Sequence, residues 1–370
     1  MNNYNFLGLF TGAGGLDLGF ENLGFNHIES NEILPYAVAT LKKNRPLWDI
    51  IEGDVRGYTP HYKGDIDVLL AGFPCQGFSL GGKRDPKDIR NTLYKEVLRI
   101  ASINQPRVIV LENVLNMRTM IHPETGKPFE QQIKEELAAI GYSTVSDFFK
   151  VCYHGVPQTR RRFIFVAFRN DVPSYFSMPK LEPITTARNV VWELGKNDNL
   201  LLPNHNPTWG FKSYAHKETY EAYNDDAVIP VRFSRTASVG NPIRSLDEPF
   251  PAIDTATVWG WAKGNVTAKR IVKDRTNDKY VRNPDSTAKL WRISASRLRA
   301  FTAREYARLQ TFPDDWEFVG KSKREIQLQI GNAVPVIFAE KLAACILDAL
   351  LIMDKKKRHH HKKGAQLKIF

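Results

Sequence analysis

Cysteine is scarce in this chain, with three residues in 370 at positions 75, 152 and 345. Three thiols so far apart exclude a disulfide framework and a cysteine-rich zinc site, and they point to a reducing, cytoplasmic setting. No metal site is expected. Long apolar runs are missing too. The most apolar late stretch, Val334 to Met353, is interrupted by Glu340, Lys341 and Asp348, a spacing that suits an amphipathic helix and not a bilayer span. The opening MNNYNFLGLFTGAGG lacks a basic start and meets glycine early, so no secretory leader is expected. Internal repeats and low complexity are absent before the last residues, which excludes a solenoid.

What is present is ordinary for a folded protein: 42% hydrophobic and 25% charged residues rule out a disordered or collagenous chain. Such a length buries roughly 75% of its extended-chain surface, enough for one large domain and a smaller one. Net charge is +12, and two segments hold it. From Lys263 to Arg299 eleven Lys and Arg face three Asp, and from Asp354 to Phe370 seven face one. Concentrated positive charge is the footprint of a polyanion, since displacing counterions from phosphates gives affinity without sequence preference. Charge alone leaves a solvated face equally open.

Up to about residue 170, β-rich runs alternate with helical stretches, the rhythm of a parallel sheet covered on both faces. Strands are predicted at Asn5 to Phe10, Asn26 to Ser30, Asp67 to Gly72, Arg107 to Leu111 and Phe163 to Phe168, with a third strand of the series ending near Gly53. Helices are predicted at Tyr36 to Lys43, Thr92 to Ala101 and Phe129 to Ala139. The fold class is therefore α/β, doubly wound. From Asp171 to Ala300 prolines, aromatics and Asn/Asp clusters break the rhythm, which reads as a smaller, irregular domain. Helical signals return at Thr302 to Gln310, where Thr302 and Glu305 have the spacing of a capping box, and after Pro335.

The first strand runs into Phe10-Thr11-Gly12-Ala13-Gly14-Gly15-Leu16, a glycine-rich turn that lets backbone approach a ligand. It fails the dinucleotide fingerprint, because Asp17 occupies the third glycine position. A nucleoside cofactor without a pyrophosphate remains. Glu32 follows the second strand, where an acid can bind ribose hydroxyls, and Asp54 follows the third. The fourth strand ends in Gly72-Phe73-Pro74-Cys75-Gln76-Gly77-Phe78-Ser79, at the sheet edge where ligands of such folds bind. A nucleophilic cysteine must reach the thiolate state, whereas most cysteines, Cys152 and Cys345 here, read as buried spacers. The fifth strand brings Glu112 to the same edge, where a carboxyl with raised pKa can serve as a general acid. In Gln158-Thr159-Arg160-Arg161-Arg162, alternation puts Gln158, Arg160 and Arg162 on one face.

Together these residues resemble one family, the cytosine-5 DNA methyltransferases of the bacterial modification type. The resemblance rests on FTGAGG at 10–15, GFPCQGFS at 72–79, ENV at 112–114, QTRRR at 158–162, TAREYARLQTFP at 302–313 and QIGNAVP at 329–335, in the family's order. It implies a Rossmann-like domain from 1–170 completed by 321–353, a target-recognition domain at 171–320 and a basic, disordered tail at 354–370. It further implies an S-adenosylmethionine site at Phe10, Gly12, Gly14, Gly15, Leu16, Glu32, Asp54, Val55, Pro74, Asn332 and Ala333. Cys75 would be the nucleophile, Glu112 the acid at the base, and Arg160 and Arg162 the arginines beside them, with Arg162 nearer the cytosine. Pro251-Ala252-Ile253 or Thr257-Val258 stands where the family carries a Thr-Leu or Thr-Val doublet, a departure that bears on base readout. The loop from Gln76 to Arg90 would close over a flipped base. The implied partner is double-stranded DNA, met by a monomer within a restriction-modification system. A tRNA methyltransferase of the same fold, and a DNA-binding protein without activity, are the rival readings.

Overall fold

The computed structural model describes residues 4–75, 77–78, 85–171, 176–208, 218–222, 228–233, 246–253, 255, 258–263, 266–270, 272–273, 280–281 and 298–366. Within 209–298 side chains are described only at 246–253, 255 and 258–261, and from 356 onward only the backbone is. Arg275, Thr257 and much of the loop from Gln76 to Arg90 thus lie outside the described residues, as do the side chains of Lys269, Arg270 and Lys273.

The alternating rhythm of the first half produces β1 (Asn5–Leu9), α1 (Gly15–Asn22), β2 (Asn26–Glu32), α2 (Pro35–Asn44), β3 (Ile50–Glu52), β4 (Val68–Ala71), α3 (Tyr94–Asn104), β5 (Val108–Asn113), α4 (Phe129–Ala139), β6 (Tyr142–Lys150) and β7 (Arg161–Arg169). They form one sheet of order β3-β2-β1-β4-β5-β7-β6, in which β7 runs antiparallel to both its neighbours. Every residue of β4 and β5 is buried, as a sheet covered on both faces requires. The period of two along the strands sorts the core. Phe6, Val68, Val108 and Val110 join Phe20 of α1 on one face, whereas Leu7, Leu69, Ile109 and Leu111 join Val97 and Ile133 of α3 and α4 on the other.

After α5 (Arg188–Lys196) come β8 (Glu218–Ala222), β9 (Val228–Phe233), β10 (Val258–Lys263), β11 (Val266–Arg270), β12 (Val272–Lys273), β13 (Tyr280–Val281) and β14 (Leu298–Ala300). They pair as a three-stranded sheet β14-β10-β9 and two short antiparallel pairs, β11-β8 and β12-β13. Trp259, Trp261 and Phe301 share one apolar cluster with Val38 and Leu41 of α2 and with Phe312 and Trp316, so this region's core is continuous with that of the first half.

Three helices close the chain: α6 (Ala303–Leu309), α7 (Lys323–Asn332) and α8 (Val336–Gln366). The expected capping box forms, with Thr302 and Glu305 each accepting from the other's backbone N–H. Gly19 lets α1 lie against α8, since a Cβ there would sit 2.4 Å from Ala339 Cβ. One expectation is corrected. The tail from 354 to Gln366 continues α8 as helix rather than forming a disordered segment. Its Lys, Arg, Ala and Gln are good helix formers, and cations suit the carboxyl end of a helix.

Candidate active site

Parallel strands leave their carboxyl ends along one edge, and four of them deliver side chains there. Phe10 follows β1, Glu32 ends β2, Cys75 follows β4 and Glu112 lies near the end of β5. Antiparallel β7 starts at the same edge, and because Glu112 pairs with Ile164 and Asn113 with Phe163, Arg162 comes alongside Glu112. Phe10, Glu32, Cys75, Glu112 and Arg162 meet around one cavity of about 320 Å³, which Gly12, Gly15, Leu16, Pro74, Asn332 and Ala333 also line. A neighbouring cavity of about 220 Å³ takes Asp54 and Val55, and shares Phe10, Glu32, Ile33 and Pro74 with the first.

The turn after β1 is built for close approach. Phe10 has φ 55°, Gly12 57° and Gly14 84°, all in the left-handed region. For a phenylalanine this costs on the order of 1 kcal/mol or more, so the surroundings must hold it there. Gly15 is needed for another reason, since a Cβ would lie 2.2 Å from the Val334 carbonyl oxygen. Glu32 is fixed by two backbone donors, Gly12 N–H at 2.7 Å and Leu34 N–H at 2.8 Å, while burial pushes its carboxyl up. Asp54 is held below the usual carboxylate range by its hydrogen bonds with Arg56.

At the other end the Glu112 carboxyl, 7% exposed, forms an ion pair with Arg162 Nε. Burial pushes Glu112 up and Arg162 opposes it. Burial likewise pushes the Cys75 thiol up, against the pull of Arg162, with a smaller one from Arg90. A carboxyl whose pKa burial raises, a guanidinium and a cysteine at one point are the parts needed to add a nucleophile to a ring and neutralise the charge that appears on it.

Two expected residues stand elsewhere. Gly14 is not in the cavity wall but opens α1, and a Cβ there would meet Leu41 Cδ2 at 2.8 Å. Arg160 also does not line the cavity. Its Nη1 donates to the Ile253 carbonyl at 3.0 Å and its Nη2 to that of Asn332 at 3.3 Å, so it braces the segment that carries the wall residue Asn332. Gln158 works similarly, donating from Nε2 to the Leu309 carbonyl and to Gln310 Oε1, and accepting from Ile253 N–H. Sequence reasoning missed Asp17, Arg90 and Gln329 in the cavity wall and Asn31 in the smaller cavity. An aspartate amid the apolar stripe Leu16, Leu18 and Phe20 was the available signal for the first. Cys152 is buried as expected, and Cys345 only partly so.

These features suit S-adenosylmethionine: Glu32 for ribose hydroxyls, Phe10, Ile33 and Pro74 as apolar walls, and backbone exposed by the glycine turn. The class so defined is a doubly wound, cofactor-dependent methyltransferase with a cysteine in its cavity wall. The chain belongs to the C-5 cytosine-specific DNA methylase family, whose profile matches residues 4–348. It is an S-adenosylmethionine-dependent DNA (cytosine-5) methyltransferase. It is 34% identical over 349 residues to Type II methyltransferase M.Eco47II of Escherichia coli, covering 90% of this chain and 76% of that protein. With Type II methyltransferase M.NgoMIV of Neisseria gonorrhoeae the identity is 32% over 346 residues, 93% and 97% of the two chains. Among solved structures, the methyltransferase EhMeth of Entamoeba histolytica superposes with TM-score 0.61 at 16% identity, over 95% and 99% of the chains. The Dnmt2 methyltransferase of S. pombe gives 0.59 at 18%, over 94% and 99%; these two likenesses concern the fold. No helix among the described residues is long and apolar enough to cross a membrane.

Proposed function

We propose that this methyltransferase acts on a cytosine turned out of a specific duplex sequence, as the modification partner in a Type II restriction system, and that it works in the cytoplasm as a monomer. The observation that carries this is the meeting of Cys75, Glu112 and Arg162 in the cavity that Phe10 and Glu32 also line. Cytosine C5 is a poor nucleophile, so a covalent bond at C6 is needed first. Cys75 Sγ, as thiolate, adds to C6, and the displaced electron pair moves toward N3. Glu112 gives its proton to N3, while Arg162 holds Glu112 and faces O2. S-adenosylmethionine supplies the electrophilic methyl group. C5, now enamine-like, takes that methyl as the donor's S–CH3 bond breaks and its sulfur becomes a neutral thioether; the C5 proton then passes to solvent, the C6–Sγ bond breaks to return Cys75 as thiolate, and N3 returns its proton to Glu112. A base stacked in a duplex is beyond reach of this cavity, which is why the target must flip.

Base readout falls to 171–320 in this proposal, with the basic stretch from Lys263 to Arg299 against phosphates. Arg160, through the Ile253 and Asn332 carbonyls, ties that region to the cofactor wall. The test is covalent capture. Duplex DNA carrying 5-fluorocytosine at the mapped target blocks loss of the C5 substituent, so an adduct accumulates, and its peptide should contain Cys75. An adduct at another residue, or none with an active protein, rejects the assignment. Methyl incorporation into tRNA and not duplex DNA would favour the RNA reading instead.

A further inference from the structure

Arg90 has no part in the steps above, yet its side chain lines both cavities, sharing the larger one with Cys75 and the smaller one with Asp54. The segment that carries it is fastened to the turn that carries Cys75. In that turn the Phe78 N–H donates to the Cys75 carbonyl at 3.0 Å. Gly77, between them, packs on Asn91, the residue after Arg90: a Cβ on Gly77 would lie 2.0 Å from Asn91 Oδ1. Asn91 is 1% exposed and donates from Nδ2 to the Asp85 carbonyl at 2.9 Å. Asn113 and Asn116 brace the same turn from the other side, each donating from Nδ2 at 3.2 Å, to the carbonyls of Phe73 and Phe78. The guanidinium of Arg90 is held in turn by Asp88, with Nε 2.9 Å from Oδ1 and Nη2 2.6 Å from Oδ2. Asp88 is in the wall of neither cavity, so this pair presents its positive member to the cavity and keeps its negative member outside.

A cysteine that adds to C6 must first give up its proton, which passes to solvent. Burial pushes the Cys75 thiol up; Arg162 pulls it down, Glu112 pushes it up again and Arg90 pulls it down. Arg162 is paired with Glu112, so its charge is divided between that carboxyl and the sulfur. We propose that Arg90 is a positioning residue for the nucleophile: its guanidinium, fixed at the cavity wall, supplies the second positive charge that stabilises the Cys75 thiolate, and Asp88 sets how much of that charge reaches the sulfur. This rests on Cys75 being the nucleophile. The other charged groups of the same wall are Asp17 from α1, Glu32 from β2, Glu112 from β5 and Arg162 from β7, and all four stay in place in the test.

The test is alkylation of the full chain by iodoacetamide, without DNA or cofactor, from about pH 7 to about pH 9. Modification of Cys75 is followed by peptide mass, with buried Cys152 reporting on the fold. Only the thiolate reacts, so the rate at a given pH reads the thiolate fraction. Arg90→Gln should slow Cys75 by about three- to tenfold, and Arg90→Lys should restore it to within about twofold. Asp88→Asn, which keeps an acceptor for the Arg90 backbone N–H, should act in the opposite direction and speed Cys75 by about twofold or more. The Arg90 side chain is 48% exposed, so about 1 M salt should shrink both differences. Arg90→Gln that alkylates at the wild-type rate overturns the proposal, and since no DNA is present, a role for Arg90 in holding phosphate cannot imitate the expected result. If Arg90→Gln exposes Cys152, the fold is lost and Asp88→Asn decides: no acceleration overturns the proposal. Single-turnover methyl transfer with duplex DNA should follow alkylation, slower in Arg90→Gln and recovered in Arg90→Lys. Alkylation that shifts as expected while transfer stays at the wild-type rate would instead reject Cys75 as the nucleophile.

Discussion

Replacing Glu112 by glutamine separates chemistry from scaffolding at one atom. The side chain keeps its shape, but the group proposed to donate a proton to N3 is gone. A positioned acid contributes roughly 10²- to 10⁴-fold, which is about 3–5 kcal/mol of barrier, and turnover should fall by that amount. The geometry adds a second cost. Arg162 has a side chain 10% exposed, and its Nε pairs with Glu112 Oε1. Without the carboxylate its charge stays buried with a weaker acceptor, a loss of about 1.5–3 kcal/mol, so the melting temperature should drop by a few degrees. Burial lifts the Glu112 pKa, so the proton is held below that raised value and lost above it. Wild-type turnover should therefore fall on the alkaline side as Glu112 ionises, and the variant should lack this limb. Single-turnover methyl transfer at saturating cofactor and DNA, read across pH beside a thermal melt, checks all three. A variant that melts lower yet keeps more than roughly a tenth of the wild-type rate would show that Glu112 serves only to hold Arg162.

Cys75→Ser should abolish transfer by several orders of magnitude while cofactor affinity, measured by titration, changes little; survival of a tenth of the rate rejects the nucleophile. Asp17 makes a stability prediction of its own. Its folded-state pKa is raised from 3.8 to about 7, so its contribution is present below the unfolded value and lost as pH rises through about 7, roughly 4 kcal/mol in all. Cofactor-free Asp17→Asn should then melt above wild type at about pH 8 and not at about pH 4; the reverse order refutes the buried charge. Glu305→Ala removes both 2.9 Å carboxylate acceptors of the fully buried Arg299, leaving its looser pair with Asp198 at 3.4 Å, and should cost about 3 kcal/mol in chemical denaturation; less than about 1 kcal/mol would mean that the pair is solvated. Deleting residues 356–370 should weaken binding to all DNA alike and flatten its salt dependence without moving the methylated base. The cut must spare Asp354, which accepts from the Tyr4 hydroxyl and from Arg107 Nη2, each at 2.7 Å.

The buried strands were legible because a sheet covered on both faces demands continuous apolar runs, as in Val108 to Leu111. Edge strand β6 was not. Tyr142-Ser143-Thr144-Val145-Ser146-Asp147 shows no alternation to read, because Val145 stands on the exposed side with Ser143 and Asp147 while Thr144 and Ser146 fill the half-buried one, so without a partner in view it reads as loop. Helix α6 announced itself through its capping box, a local signal, but the depth of Glu305 did not, because its partners Arg299 and Trp261 come from β14 and β10. The same limit divides the site. Residues standing at strand ends, namely Phe10, Glu32, Cys75 and Glu112, follow from counting strands. Arg160 and Gln158 share a face in sequence with Arg162, yet their carbonyl partners lie at 253, 309 and 332, and only the tertiary arrangement shows that these two hold walls in place.

Buried charge in this protein is of two kinds, and the difference separates scaffold from site. Arg304, fully buried, donates to the carbonyls of Pro203, Pro313 and Trp316, and Glu305 accepts from Arg299, from Trp261 Nε1 and from Thr302 N–H. Their requirements are met within the chain, so no ligand is needed to stabilise them. Around the cavity Asp17, Glu32, Cys75 and Glu112 are instead all pushed toward their neutral forms by burial. Groups left in that state weaken the empty fold and are completed by what binds. A ligand that binds the native state alone stabilises it by RT ln(1 + [L]/Kd), about 2.7 kcal/mol at a hundredfold excess over Kd. It follows that S-adenosylmethionine and S-adenosylhomocysteine, which share the ribose that Glu32 is proposed to hold, should each raise the melting temperature of the wild type, and that Glu32→Gln should shrink both shifts together. A Glu32→Gln variant that keeps both shifts unchanged would remove this carboxyl from the account.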